Sequence, residues 1–269
     1  MSHPLGTIEL VTDLLEDGSS THTIVSGDVS GGAHTSRTIT LEDFETLLAS
    51  VPVDADRDQY ESAIVDMNVL GKRSTSSRER SFRYLRELYL LDPNQPVFSA
   101  LRDLWNVDPA GRPLLAMLSA LAHDPALRAT SSAVLPVAVN EPVTSEDLEK
   151  AVQNHFGHSY SHAIANKIGR NAGSSWTQSG HLEGRTNKKR VRALHTPGAL
   201  AYAFFLGHLT DKRGQGLFTS LWARTLDASS AEMHGLAGAA SARGWIDYKR
   251  FGDVIEVGFR RLLAGGDSG

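Results

Sequence analysis

The sequence of 269 residues has no cysteine. This excludes disulfide frameworks, thiol nucleophiles, iron–sulfur clusters and cysteine-held zinc, and it suits a reducing cytoplasm. Long apolar runs are missing too. The most hydrophobic stretches, residues 113–122 and 199–207, fall far short of the roughly 20 residues that span a bilayer, so no membrane partner is expected. The first fifteen residues lack a basic start and carry Glu9 and Asp13 within their apolar stretch. No targeting segment is read there, and a cytoplasmic protein is expected. Enzyme signatures are also lacking: there is no P-loop, no GxGxxG after a strand, no GxSxG and no HExxH. Scattered Ser, His and Asp residues assemble into a triad only in space, so the reading is non-enzymatic and without a cofactor.

What is present fits a globular chain. Hydrophobic residues at 41% and charged residues at 22% suffice for a real core, in one large or two to three small domains. The net charge of -4 conceals strong segregation. Residues 1–61 carry twelve Asp or Glu against Arg37 and Arg57, a balance of -10. Residues 72–86 set Lys72, Arg73, Arg78, Arg80, Arg83 and Arg86 against Glu79, a balance of +5. Residues 159–195 set Lys167, Arg170, Arg185, Lys188, Lys189, Arg190 and Arg192 against Glu183, a balance of +6. Two basic islands in an acidic chain are an electrostatic footprint for phosphates; they also suit solvated faces or partners for the acidic N-terminus.

Periodicity predicts a mainly α protein. Residues 17–38, dense in Gly, Ser and Thr, read as a loop or linker that buries little, so the ordered core is expected to start later. Thr40 and Asp43 mark a helix start before Phe44, Leu47 and Leu48, and residues 52–58 a break. Asp54, Asp56 and Asp58 do not make a calcium loop, because Gln59 and Val65 stand where Gly and Glu are needed. Tyr60, Ile64, Met67 and Leu70 predict a helix over 57–70 ended by Gly71. Ser76 and Glu79 suggest the capping box of the next helix, with Phe82, Leu85, Leu88 and Tyr89 as its core stripe, closed by Pro93 and Pro96. Helices follow at 97–106, 113–122 and 125–134, the last capped by Asp124 with Pro125 at its first position. Residues 136–142 form an extended connector. The expected organisation is an acidic, partly flexible segment 1–55, a helical domain 56–139, a winged helix-turn-helix 140–196, and a helical region 197–269 with a short C-terminal β-hairpin.

The third segment carries the chemistry. Thr144 and Asp147 cap a helix bearing Leu148, Ala151, Val152 and Phe156, which Gly157 ends. Ser159 or Ser161 then starts a second helix bearing Ile164, Ala165, Ile168 and Trp176. Two helices joined by a tight Gly turn suggest a helix-turn-helix, with a bend at residues 173–176. Leu182 and Val191 flank a polar, basic stretch, read as a hairpin whose tip holds Arg185, Lys188, Lys189 and Arg190. With Ile164 and Ile168 inward, Ser161, His162, Asn166 and Arg170 face a groove, Lys167 meets backbone phosphates, and the hairpin with Arg192 forms a wing. Lys72, Arg73, Arg78 and Arg80 form a second, weaker surface. Double-stranded DNA is the expected ligand; a protein-docking module and an RNA-binding helical protein are the alternatives. His155, His158 and His162 are spaced for one helix face, but Gly157 interrupts it and no carboxylate accompanies them, so no metal is expected. The later segment is read as helices around 197–209, 217–226 and 230–243, then a hairpin turning at residues 251–253, with a fraying Gly-rich end.

The stretches NVLGKRSTSSRERSFRYLRELYLLDP (68–93), SYSHAIANKIGRNAGSSWTQSGHLEG (159–184), the following KKRVR and PGALAYAFFLGHL (197–209) resemble the BrxA family of the BREX phage-defence systems. The similarity spans roughly residues 60–260 and leaves 1–55 unmatched. It implies a small, mostly helical, non-enzymatic DNA-binding component of a phage-resistance system. Its partners there would be the other BREX proteins, which carry the methylation and ATPase activities.

Overall fold

The computed structural model describes residues 32–264. The readings made for residues 1–31, including the targeting segment and most of the acidic segment, lie outside the described residues, as does the Gly-rich end after residue 264. Among the described residues the chain is mainly helical with two small antiparallel sheets, and no helix is long and apolar enough to cross a membrane.

Residues 33–38 belong to the fold, although the composition of residues 17–38 predicts a linker that buries little. A 3-10 turn at Ala33–Thr35 buries Ala33 and His34 completely, and Ile39 follows them into the core. Helix α1 (Leu41–Ser50) then buries Phe44, Leu47 and Leu48. Its cap, Thr40, sits in the left-handed region (φ 46°) and makes no capping bond. Helix α2 (Arg57–Val65) opens with an Asp56/Gln59 capping box. It stops well short of Leu70, because Asn68 turns left-handed (φ 54°) and its side chain closes a loop onto both backbone polar groups of Lys72. Met67 is left exposed as a result. Helix α3 (Thr75–Tyr89) is capped by Ser74 with Ser77, two residues before the expected Ser76 and Glu79, and buries the predicted stripe of Phe82, Leu85, Leu88 and Tyr89.

Helices α4 (Pro96–Val107) and α5 (Arg112–His123) match the sequence reading. The single helix expected over 125–134 is two, α6 (Pro125–Ala129) and α7 (Ser131–Val134). They are separated at Thr130, whose hydroxyl donates to Leu127 O at 2.6 Å and accepts Trp176 Nε1 at 2.8 Å. Asp124 caps α6 as predicted.

After the connector come β1 (Pro142–Val143), α8 (Ser145–Phe156), α9 (His162–Gln178), β2 (Leu182–Glu183) and β3 (Lys188–Arg190). Helix α10 (Pro197–Leu209) is buried on nearly every side, which explains its all-round apolar sequence. The helix expected over 217–226 is split at Ser220 into α11 (Gln215–Thr219) and α12 (Leu221–Arg224), because Ser220 turns extended and caps the second piece. Helix α13 (Ser230–Ala242) leads into the predicted hairpin of β4 (Asp247–Phe251) and β5 (Val254–Gly258), turning through Gly252 and Asp253, and α14 (Arg260–Leu263) follows.

The core is centred on aromatic contacts. Phe44 stacks on Tyr89 at 3.7 Å and meets the edge of Trp105 at 4.9 Å. One buried cluster takes in side chains on both sides of the 136–142 connector, Phe98 and Leu118 as well as Leu148 and Trp176.

Candidate nucleic-acid interface

The candidate site is the unit β1–α8–α9–β2–β3. Its sheet runs in the order β1-β3-β2, all antiparallel, with Val143 opposite Lys188 and Leu182 opposite Arg190. The Thr144/Asp147 box opens α8, and Gly157 (φ 57°) ends it in the region open to glycine. His155 and His162 therefore do not share one helix, and no metal-holding group of three or more ligands occurs among the described residues. Ser161 caps α9, its Oγ accepting the Ile164 N–H at 3.4 Å.

Helix α9 runs through residues 173–176 without the expected bend. The glycines there serve packing. A Cβ on Gly169 would lie 3.0 Å from both Glu149 N and Ser145 O, and one on Gly173 would lie 3.1 Å from Leu148. The two helices touch nearly backbone to backbone.

The buried stripe of α9 is Ala165, Ile168, Ala172 and Trp176, so Ile164 falls on its flank and is 44% exposed rather than inward. Ser161, His162, Ala163, Ile164, Lys167 and Arg170 form the exposed edge. Asn166 is half-buried and committed: Nδ2 donates to Glu149 Oε2 at 2.8 Å, and Oδ1 accepts from Arg170. His162 Nδ1 lies 3.1 Å from Glu149 Oε1 and 2.9 Å from Gln153 Nε2. The Asn166 hydrogen bond, then His162, hold the Glu149 carboxyl below its usual range. A carboxylate thus sits behind the predicted groove-facing residues and fixes two of them.

The hairpin differs most from its reading. The exposed tip is Gly184, Arg185, Thr186 and Asn187, and Gly184 (φ 97°) is required because a Cβ there would lie 2.3 Å from Asn187 O. Lys188, Lys189 and Arg190 are strand residues rather than tip residues. Lys188 is half-buried, donating to Thr177 Oγ1 at 2.8 Å and Gly184 O at 3.1 Å, and burial lowers the pKa of its ammonium. Lys189 is exposed.

Arg190 is 2% exposed, because its side chain shares the inner face of the sheet with Leu182. Its guanidinium donates to Val134 O and His181 O and pairs with Asp227. Arg192, half-exposed, donates to Asp227 O at 2.9 Å and pairs with Glu232. The Ser229 hydroxyl and N–H, with Arg192, push the Glu232 carboxyl down to about 2. Two expected wing cations are therefore bound to the protein itself. In the first island Lys72 donates to both Asp43 oxygens at 2.8 Å and Arg78 to Val65 O at 3.0 Å, while Arg73 and Arg80 stand exposed.

No protein-family model matches the sequence, and no match to a curated protein was found.

Proposed function

We propose that the chain binds double-stranded DNA through a winged helix-turn-helix formed by β1–α8–α9–β2–β3, as a non-enzymatic component of a BREX-type phage-defence system. The reading is carried by one observation. The exposed edge of α9, with Lys167 and Arg170, belongs to the same small unit as a glycine-turned hairpin presenting Arg185 and Lys189, and strand β1 closes that hairpin's sheet. In such modules the second helix enters the major groove while the hairpin follows the adjacent backbone. Arg170 and Lys167 supply phosphate or guanine contacts, and the methyls of Ala163 and Ile164 suit a thymine methyl. Arg190 and Arg192, turned to the protein, are left out of the interface. The defence context rests on the resemblance of residues 60–260 to the BrxA family.

The reading is tested with the double charge reversal Arg185→Glu, Lys189→Glu and a fluorescent duplex. Loss of duplex binding with an unchanged unfolding midpoint is expected, and undiminished binding removes the hairpin from the interface. A structured RNA of equal length that competes better than duplex DNA transfers the reading to RNA. A protein-docking role is favoured by a separate feature: Phe251 at 89% and Val254 at 71% exposure pair at the tip of the β4–β5 hairpin.

A further inference from the structure

A second site lies away from this unit, where the segment before α1 crosses the start of α3. A cavity of about 140 Å³ opens there among Arg37, Thr40, Asp43, Lys72, Ser81 and Tyr84. It is similar in size to a cavity of about 150 Å³ that holds one benzene, and well below drug-sized pockets of about 300 Å³ and more, so it suits a single small group.

The lining specifies the sign of that group. Both Asp43 oxygens are taken by Lys72 Nζ, which leaves no unpaired acidic oxygen facing the cavity. Arg37 forms no ion pair among the described residues; its guanidinium lies 5.6 Å from the centre of the Tyr84 ring, and Arg83 lies 4.9 Å from it. Thr40 Oγ1 is buried without a hydrogen-bond partner. An unpaired buried hydroxyl is costly, and Thr40 is held besides in a left-handed conformation rare for a β-branched residue. Such strain gathers at ligand sites. A hydrogen bond from Ser36, the largest effect, with Arg83 and Arg37 outweighs burial and holds the Tyr84 phenol below its usual range.

We infer that this cavity binds a phosphoryl group, with Arg37 supplying the charge and the Thr40 and Ser81 hydroxyls supplying donors. The arrangement fits a tetrahedral oxyanion better than a planar carboxylate, because its donors come from separate segments around the cavity. The group belongs either to a free phosphate ester or to a phosphorylated nucleic-acid end, and the site does not depend on the DNA contact proposed for α9.

Calorimetric titration of the full chain with inorganic phosphate tests it, with acetate in parallel. Saturable phosphate binding is expected, weakened about tenfold or more by Arg37→Gln and by Thr40→Val, as for loss of a hydrogen bond to a charged group. Arg37 is exposed, so its variant keeps the test valid should Thr40→Val unfold. No phosphate binding, equal binding of acetate, or undiminished affinity in Arg37→Gln overturns the inference. Competition by a duplex with 5′-phosphates, but not by the same duplex with 5′-hydroxyls, identifies a nucleic-acid end; competition by neither identifies a free phosphate ester, and equal competition by both overturns the assignment to a terminal phosphoryl group.

Discussion

His34 and Asp124 meet in the interior from positions 90 residues apart: Nδ1 of the imidazole lies 2.9 Å from Oδ2, and the His34 backbone N–H donates to the same oxygen at 2.8 Å. His34 Nε2 lies 2.7 Å from Ser175 Oγ, which also accepts the Ile39 N–H, and Asp124 Oδ1 caps α6 through the Leu127 N–H. The connectivity is that of a Ser-His-Asp triad. All three side chains are buried, however, and Ser175 is wholly enclosed. The arrangement acts as a clamp, tying residues 33–39 to α6 and α9. Gly32 completes it, since a Cβ there would lie 2.8 Å from Asp124 Oδ1.

Asp124→Ala should therefore cost about 3–5 kcal/mol, because it strands a buried imidazole and removes the α6 cap together. Burial alone would raise the Asp124 carboxyl, but His34 and the Leu127 N–H carry it below its usual value. A depressed carboxyl adds stability that is present above its unfolded pKa and lost as pH falls through the folded one. Urea unfolding of wild type and variant measures the difference; a loss under 1 kcal/mol contradicts the clamp.

Acid should weaken the fold earlier, through two other histidines. Burial, the largest effect on each, brings His123 and His181 to about 4. His123 donates from Nδ1 to Leu88 O and Ser119 O while its Nε2 is buried without a partner, so protonation would bury an unpaired charge. The unfolded chain binds more protons than the folded one between about pH 6.5 and about 4. Stability should fall as pH drops through that window, and His123→Gln should flatten the fall. A midpoint constant from pH 7 to pH 4 contradicts this.

The close approach of α8 and α9 makes Gly169 sensitive. Alanine improves helix propensity by about 1 kcal/mol, yet its Cβ would meet backbone atoms at 3.0 Å on α8. Gly169→Ala should be net destabilising by about 1–3 kcal/mol. A raised unfolding temperature would show that the helices part freely.

The wing cations should separate by role. Arg190→Ala strips Asp227 of its guanidinium partner and leaves the Val134 and His181 carbonyls without that donor, so it should lower the unfolding midpoint sharply. Lys189→Ala should leave that midpoint unchanged. Equal midpoints for the two variants would contradict the burial of Arg190.

Local patterns were readable from the sequence wherever the partner residues lie a few positions apart. The Phe82, Leu85, Leu88, Tyr89 stripe, the Thr144/Asp147 box and the turn at Gly252 are of this kind. What escaped is set by distant partners. Residues 32–38 read as part of a linker because the groups that bury His34 lie 90 and 141 residues away. Arg190 read as a wing tip because Asp227 lies 37 residues on. The flank position of Ile164 depends on where α8 crosses α9, which Gly169 and Gly173 set and a count of apolar spacing does not register.

The central claim is the DNA contact of α9 and its hairpin, and the most direct measurement is duplex affinity across a salt series for wild type and Lys167→Ala. On B-DNA each phosphate contact contributes about 0.9 to the log–log slope. The account predicts a slope of several units for wild type, reduced by about 1 in the variant with uniform weakening across sequences. No duplex binding at low salt, or a slope that Lys167→Ala leaves unchanged, would contradict it.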